Sequence, residues 1–332
     1  NAVFYNFFFF FLKREEPYNR YAISGNSWYN MSFDYSYTYK NMHFFGEAAI
    51  DKRNNKAFVN GLLVSVDPRV DLSIVQRTIS KGYQSINGNA FTENTFPTNE
   101  TGIYAGVSIR PAIGWKIDAY ADFYKFPWLK FLVDAPSYGK DFLAQVTFTP
   151  NRQVEIYTRF KTETKQANQS DNTTVTNFLV NLPKQNWRTQ ISYKLNTSFT
   201  IRNRVELLWF DNNGVNKANG FLTFFDFMYK PMLKPLSAVL RLQYFETDDY
   251  NSRIYAYEND ILYGYSIPGF FDKGFRYYLN LNYDLAKNVS VWLRLAQTVY
   301  RNQVTVGSGL DEIQGNRRTE VKVQIRWIIG KS

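Results

Sequence analysis

Over residues 103–124 the chain alternates with a period of two. Ile103, Ala105, Val107 and Ile109 alternate with Tyr104, Gly106, Ser108 and Arg110. Beyond Ala112-Ile113-Gly114, Trp115, Ile117, Ala119, Ala121 and Phe123 alternate with Lys116, Asp118, Tyr120, Asp122 and Tyr124. Successive side chains of a strand point to opposite faces. The pattern therefore predicts two strands around a tight turn, each with one apolar and one polar face. Similar segments recur at residues 2–12, 28–39, 42–50, 58–66, 70–79, 142–148, 154–160, 187–195, 199–210, 221–229, 236–245, 275–283, 289–300 and 321–329. With the opening pair they make about sixteen strands at roughly twenty residues per strand and connection.

A soluble sandwich also alternates apolar and polar positions. What separates the two cases is the order of the connections. Tight turns near residues 40, 68, 113, 151, 196, 232 and 286 alternate with longer connections at 80–100, 127–140, 162–185 and 300–318. Short turns at one end and long loops at the other are the layout of an outer-membrane barrel. The expected fold is all-β: a transmembrane antiparallel up-and-down β-barrel, one domain over residues 1–332. Residues 246–274 break the rhythm, since 254–265 reads as either a strand or a folded loop, so fourteen and eighteen strands are the neighbouring counts. No helix-period stretch of useful length interrupts the pattern.

Composition sharpens this reading. Aromatic residues make up 18% of the chain, with 29 Phe and 25 Tyr. Mean hydropathy is only −0.39, and no apolar run approaches the ~20 residues a membrane helix needs. A barrel strand needs only every second residue to be apolar. Trp28, Trp115, Trp128, Trp187, Trp209 and Trp327, with Tyr39, Phe126, Tyr229 and Tyr283, fall near expected strand ends. They suit interfacial aromatic girdles. The competing reading is a carbohydrate-stacking platform, for which Phe96, Phe270 and Phe271 are the loop aromatics.

The net charge of +10 comes without a Lys/Arg block, so no nucleic-acid partner is expected. On the polar faces lie Arg110, Lys116, Arg159, Arg188, Arg202, Arg204, Arg241, Arg276, Arg294 and Arg326, together with Lys161, Lys194 and Lys322. Asp118, Asp122, Glu155, Glu206, Asp226 and Glu320 share those faces. One reading is a basic lumen that favours small anionic solutes. The other is a lumen stitched by cross-strand Arg–carboxylate pairs or filled by a loop.

Catalytic chemistry has little to stand on. The chain has no cysteine and one histidine, His43, which rules out thiolate catalysis and an ordinary zinc site. Glu47 lies on the same face as His43, and no serine stands out as a triad partner. No catalytic, cofactor or metal residues are expected. The chain opens on Asn1 with neither initiator Met nor signal peptide, so the expectation is a processed or truncated product with strands or a domain upstream.

Several stretches resemble a known family. They are Gly25-Asn26-Ser27-Trp28-Tyr29-Asn30, Asp67-Pro68-Arg69-Val70-Asp71 and Gly88-Asn89-Ala90-Phe91-Thr92-Glu93, then YADFYKFPWL at 120–129 and GSGLDEIQGNRRTEVKVQIRW at 307–327. Together these resemble the C-terminal barrel portion of Bacteroidota outer-membrane proteins known as helix-hairpin-helix-domain proteins. The resemblance implies the bacterial outer membrane, a longer parent chain and no catalytic residues to carry over. The helix-hairpin-helix units themselves are not in this sequence. Barrels of this kind commonly end on an aromatic residue, whereas here Ile-Ile-Gly-Lys-Ser follows Trp327. The functional expectation is a non-enzymatic barrel in contact with outer-membrane lipid. It acts either as a channel or as a structural subunit beside other envelope proteins. A soluble all-β binding module and a barrel-embedded enzyme are the alternatives.

Overall fold

The structure is a computed structural model that describes residues 1–169, 177–212, 214 and 216–330. Its main feature is one antiparallel sheet of sixteen strands, in which neighbours in space are also neighbours in sequence. The first half comprises β1 (Ala2–Phe11), β2 (Gly25–Tyr39), β3 (Met42–Asp51), β4 (Lys56–Asp67), β5 (Val70–Ile79), β6 (Glu100–Ile109), β7 (Trp115–Phe126) and β8 (Ser137–Phe148). It continues through β9 (Val154–Asn168), β10 (Leu179–Lys194), β11 (Phe199–Asn212), β12 (Asn216–Tyr229) and β13 (Leu236–Thr247). Two short hairpins interrupt the count without joining the sheet. One pairs β14 (Ile254–Tyr255) with β15 (Gly269–Phe270), and the other pairs β18 (Thr305–Val306) with β19 (Ile313–Gln314). The sheet itself resumes with β16 (Lys273–Ala286), β17 (Val289–Tyr300) and β20 (Arg317–Trp327). Among the described residues β1 pairs only with β2 and β20 only with β17, which leaves the sheet two edges. Among the described residues no helix is long and apolar enough to cross a membrane.

The tight turns are built by short polar side chains that bond the backbone just ahead of them. Asp67 Oδ1 accepts the Arg69 N–H at 2.9 Å. Asn151 Oδ1 takes the Gln153 and Val154 N–H groups, and Asn196 Oδ1 those of Ser198 and Phe199. Gly114 turns with φ +80°. A Cβ there would stand 2.6 Å from the Thr149 carbonyl oxygen.

The burial pattern is inverted relative to a water-soluble protein. On β12 Phe225 and Phe227 are 48% and 42% exposed, while Asp226 between them is 0% exposed. On β13 Leu240 and Leu242 are exposed and Arg241 is buried. Phe123, Phe160, Ile191, Leu295, Val321, Val323 and Ile325 continue the exposed apolar face. The buried set includes Arg77, Glu100, Asp122, Asp141, Glu206, Arg276 and Arg294. Charged residues are rarely fully buried, and contiguous exposed apolar surface marks an interaction with something other than water.

Several expected boundaries are corrected. The connection read at 162–185 is largely strand, because β9 runs on to Asn168 and β10 starts at Leu179. Residues 170–176 of that connection lie outside the described part. Here Glu163, Lys165, Gln166, Lys184 and Gln185 make both faces polar, so the alternation that marks a strand vanishes while the backbone ladder continues. Likewise the connection at 127–140 ends earlier, with β8 beginning at Ser137. Of residues 254–265, only Ile254–Tyr255 is strand, in a folded segment outside the sheet.

Candidate functional site

The segment of residues 248–272 lies over the polar face of β11–β17. Asp249 starts the descent by accepting the Asn251 and Ser252 N–H groups around a single 3-10 turn. Next, Ile254 and Ala256 meet Leu208, Leu222, Phe224, Phe245 and Phe270 in a buried apolar cluster. Alternation explains the sides: Ile254, Ala256 and Glu258 are buried, whereas Tyr255 and Tyr257 between them are exposed. The apolar residues of this segment thus cover the few apolar positions on an otherwise polar face.

Beyond that cluster the attachment is ionic. Glu258 is fully buried and receives Arg276 in a two-pronged contact, Nε to Oε1 at 2.7 Å and a terminal nitrogen to Oε2 at 2.9 Å. Arg294 reaches the same carboxylate from β17. Asp260 receives Lys322 Nζ at 2.6 Å and Arg294 at 3.2 Å. Wall side chains also take the segment's carbonyls. Arg241 donates to the Tyr257 oxygen at 2.7 Å, Arg294 to that of Asn259 at 2.7 Å and Asn280 to that of Asp260 at 2.9 Å. Arg204 donates to the Tyr255 oxygen at 3.3 Å. Tyr257, Asn259 and Asp260 lie beyond the β14–β15 pairing, and buried carbonyls need a donor. The arginines of the wall supply it.

Burial opposes ionisation of Asp260, but the Lys322 ammonium, the Ile261 N–H and Arg294 outweigh it and hold the carboxyl below its usual value. A carboxylate with a depressed folded pKa stabilises the fold fully above its unfolded value. That contribution is lost as pH falls through the folded value. Acidification below about pH 4 is therefore expected to loosen the segment, read as cleavage by pepsin within 248–272. Asp260→Asn is expected to show the loosened state already at neutral pH, read there as chymotrypsin cleavage after Tyr250, Tyr255 or Tyr257, and to lose most of the acid response. An identical acid profile in that variant would show that Asp260 does not control the contact.

A second cluster lies between β4 and β8. Arg77 grips Asp122 with both terminal nitrogens at 2.9 and 3.0 Å, while its Nε donates to Glu100 at 2.5 Å. Opposite Arg77 stands Gly102, where a Cβ would be 2.6 Å from the guanidinium carbon. The missing side chain lets Arg77 reach across β6 to Asp122 on β7. Glu100 also accepts the Glu93 and Asn94 N–H groups, which ties down the 80–99 connection.

The sequence-derived residues separate on this geometry. Arg204, Arg241, Arg276 and Arg294 are buried and engaged in holding the 248–272 segment. Arg188 pairs with Glu206, which also contacts Arg204. Arg202 lies 3.8 Å from Asp226, Lys116 pairs with Asp118, and Arg326 donates to Ser290. Arg110 sits just past the end of β6 and pairs with Asp71 at the start of β5, both side chains exposed. Arg159 alone of the ten has no hydrogen-bond or ion-pair partner among the described residues, and its Nε is buried. It faces Arg188 directly across the β9–β10 ladder. Like charges opposite one another cost stability, a cost that the pairing of Arg188 with Glu206 reduces but does not remove.

Trp115, Trp187, Trp209 and Trp327 lie on the exposed apolar face. Trp28 does not: it is buried on the polar side, donates to the Gln84 carbonyl and lies beneath Arg53. Trp128 also leaves the exposed face. It follows the end of β7, donates to the Pro17 carbonyl and packs against Tyr21 and Lys81. His43 bonds Thr38 at 2.7 Å and stacks on Phe45. Among the described residues no group of three or more His, Cys, Asp or Glu is placed to hold a metal ion.

Sequence reasoning missed Arg77, Glu100, Glu258 and Asp260. Arg77 carried a signal, since it falls on the parity opposite Leu72 and Ile74. Glu258 and Asp260 carried none, because no periodic pattern tells which loop acidic residue turns toward a wall.

No family model matches the chain, and no curated protein matches it. Solved structures do. The in-vitro folded OmpT, an outer membrane protein of Vibrio cholerae, is 12% identical over 98% of this chain and 96% of that one, with a TM-score of 0.45. Pseudomonas aeruginosa OpdK with vanillate is 10% identical over 100% and 87%, with a TM-score of 0.46. An anion-selective porin from Comamonas acidovorans is 9% identical over 90% and 99%, with a TM-score of 0.40. At such identities and scores we take nothing about activity from these likenesses.

Proposed function

We propose that the chain is a non-enzymatic β-barrel of the bacterial outer membrane, acting as a narrow channel for small anionic solutes. The inverted burial pattern carries this reading. Hydrocarbon tolerates the exposed Phe225, Phe227, Leu240 and Leu242, and the charges of the opposite face sit inside among partners. Sixteen is an even number of up-and-down strands, so β1 and β20 run antiparallel and can close the wall. Closure removes the unpaired backbone groups that a sheet edge would expose to lipid. Trp115 and Trp327 stand at the tight-turn end of their strands. Trp209 is ten residues from Phe199, about 33 Å along the strand and about 25 Å after a ~40° tilt. Together they suit two aromatic girdles.

The 248–272 segment narrows the interior on one side, and the unpaired cations near Arg159 bias what remains toward anions. We favour the channel over a purely structural subunit on the strength of those cations.

Phe225→Arg is expected to lower stability in bilayers by about 2–4 kcal/mol if this face meets the bilayer midplane. Phe225→Leu should be nearly neutral. Equilibrium unfolding from vesicles checks both. A folded, monomeric protein in detergent-free buffer would sink the membrane reading. Asymmetric potassium chloride across a planar bilayer should give a reversal potential of anionic sign, and a cationic sign would remove the anion preference.

A further inference from the structure

We propose that the recess between β9, β10 and the start of the 248–272 segment is a binding site for a small organic oxyanion, a carboxylate or phosphate monoester on an apolar body. The recess encloses about 200 Å³ and is lined by Arg159, Lys184, Arg188, Arg253, Ile254 and Tyr255. Lys161, Glu163 and Glu206 also face it.

The balance of charge is what singles it out. Glu206 is already taken by Arg188 and Arg204, Glu163 by Lys165, and Lys161 by Asp141. Arg159, Lys184 and Arg253 are left, and none has an ion-pair partner among the described residues. The deeply buried arginines elsewhere on this face are matched: Arg77 has two carboxylates, Arg241 has Asp226, and Arg276 and Arg294 share Glu258. Here instead two arginines stand directly opposite each other in the ladder, and Arg159 has no hydrogen-bond or ion-pair partner for any of its nitrogens among the described residues. Local rules are broken where function compensates the cost. An oxyanion entering the recess would supply the missing acceptor and relieve the repulsion.

The segment supplies the other wall. Arg253 is held by the Tyr250 carbonyl and the Tyr255 hydroxyl, both at 2.7 Å, so its position is set before any ligand arrives. Tyr255 is half exposed, and with Ile254 it offers an apolar surface beside the cations. Forked guanidinium donors match a carboxylate or phosphate group, and the ring and aliphatic wall suit an attached apolar body.

This inference rests on the proposed interior position of the polar face, but binding can be measured without conduction. The test is equilibrium dialysis of the detergent-purified full chain, with heat-modifiable gel mobility confirming the fold. Radiolabelled benzoate and phenyl phosphate are the probes, with inorganic phosphate and benzyl alcohol as competitors. The expected result is saturable binding of one probe molecule per chain, weakened at least ten-fold in Arg159→Gln and in Lys184→Gln. Arg326→Gln, next to a distant tight turn, should bind as the parent does. Benzyl alcohol should not compete, and inorganic phosphate should compete less well than phenyl phosphate. Which probe binds tighter decides between carboxylate and phosphate. Arg159→Gln should also raise the unfolding midpoint of the ligand-free protein, because it removes a repulsion. Absence of saturable binding in the folded parent overturns the proposal. So does undiminished binding in Arg159→Gln, or competition by benzyl alcohol equal to that by phenyl phosphate. A channel that conducts but fails these tests would retain the proposed function and lose the site.

Discussion

Glu258→Gln is expected to detach the 248–272 segment from the wall while leaving the sheet intact. The substitution keeps the side-chain volume but removes the charge that faces Arg276 and Arg294, both nearly fully buried. Breaking a buried pair on one side costs about 3–5 kcal/mol, because the remaining charge stays desolvated. Two guanidinium groups lose their partner at once, although Arg276 keeps Thr298 and Glu320, and Arg294 keeps Asp260. The sheet's strand ladders do not involve Glu258, so the cheaper response is local opening of the segment. Limited proteolysis should therefore cut within 248–272, while the folded gel band persists. Single-channel conductance should rise as the interior widens. In an Arg276→Met background the added cost of Glu258→Gln should shrink, as expected for two groups that act through each other. Resistance to protease together with unchanged conductance would show that the apolar cluster around Ile254 holds the segment by itself.

The second large effect is expected at Arg77. Arg77→Met leaves Glu100 and Asp122 buried, close together and without their shared cation. The expected loss is again about 3–5 kcal/mol. Arg77→Lys should recover little, since an ammonium cannot bridge two carboxylates with the forked geometry seen here. Loosening should reach the 80–99 connection through Glu100, which holds the Glu93 and Asn94 N–H groups. Denaturant midpoints and cleavage within 80–99 check both parts. Stability within 1 kcal/mol of the parent would mean that the cluster is replaceable by any packing of similar size.

These two clusters were legible to different degrees. Arg77 betrays itself by its parity against Leu72 and Ile74, and Asp122 by its place opposite Phe123. Glu258 lies in Tyr255-Ala256-Tyr257-Glu258, where a short alternation is equally compatible with a strand of the sheet. Only the burial of Ile254 and Ala256 against Leu208 and Phe245 tells the two apart. Trp28 shows the same limit. Near a strand end a tryptophan reads as an interfacial ring, yet its even position places it with Asn30 and Ser32 on the polar side. Parity was the better guide there, and proximity to a strand end the worse one.

By itself the sequence pointed to about sixteen strands, with fourteen and eighteen left open, and to their antiparallel order, the tight turns and the identity of the apolar and polar faces. Those properties are local. A strand's two faces meet different surroundings, and the period-two alternation records that difference residue by residue. Only the tertiary structure decided that β9 and β10 run through a polar stretch, that 248–272 folds over the wall, and which arginines are matched. Those outcomes depend on partners far apart in the chain, such as Arg276 with Glu258 or Lys322 with Asp260. A buried ion pair is chosen by geometry across strands and loops, and alternation along one strand carries no record of it.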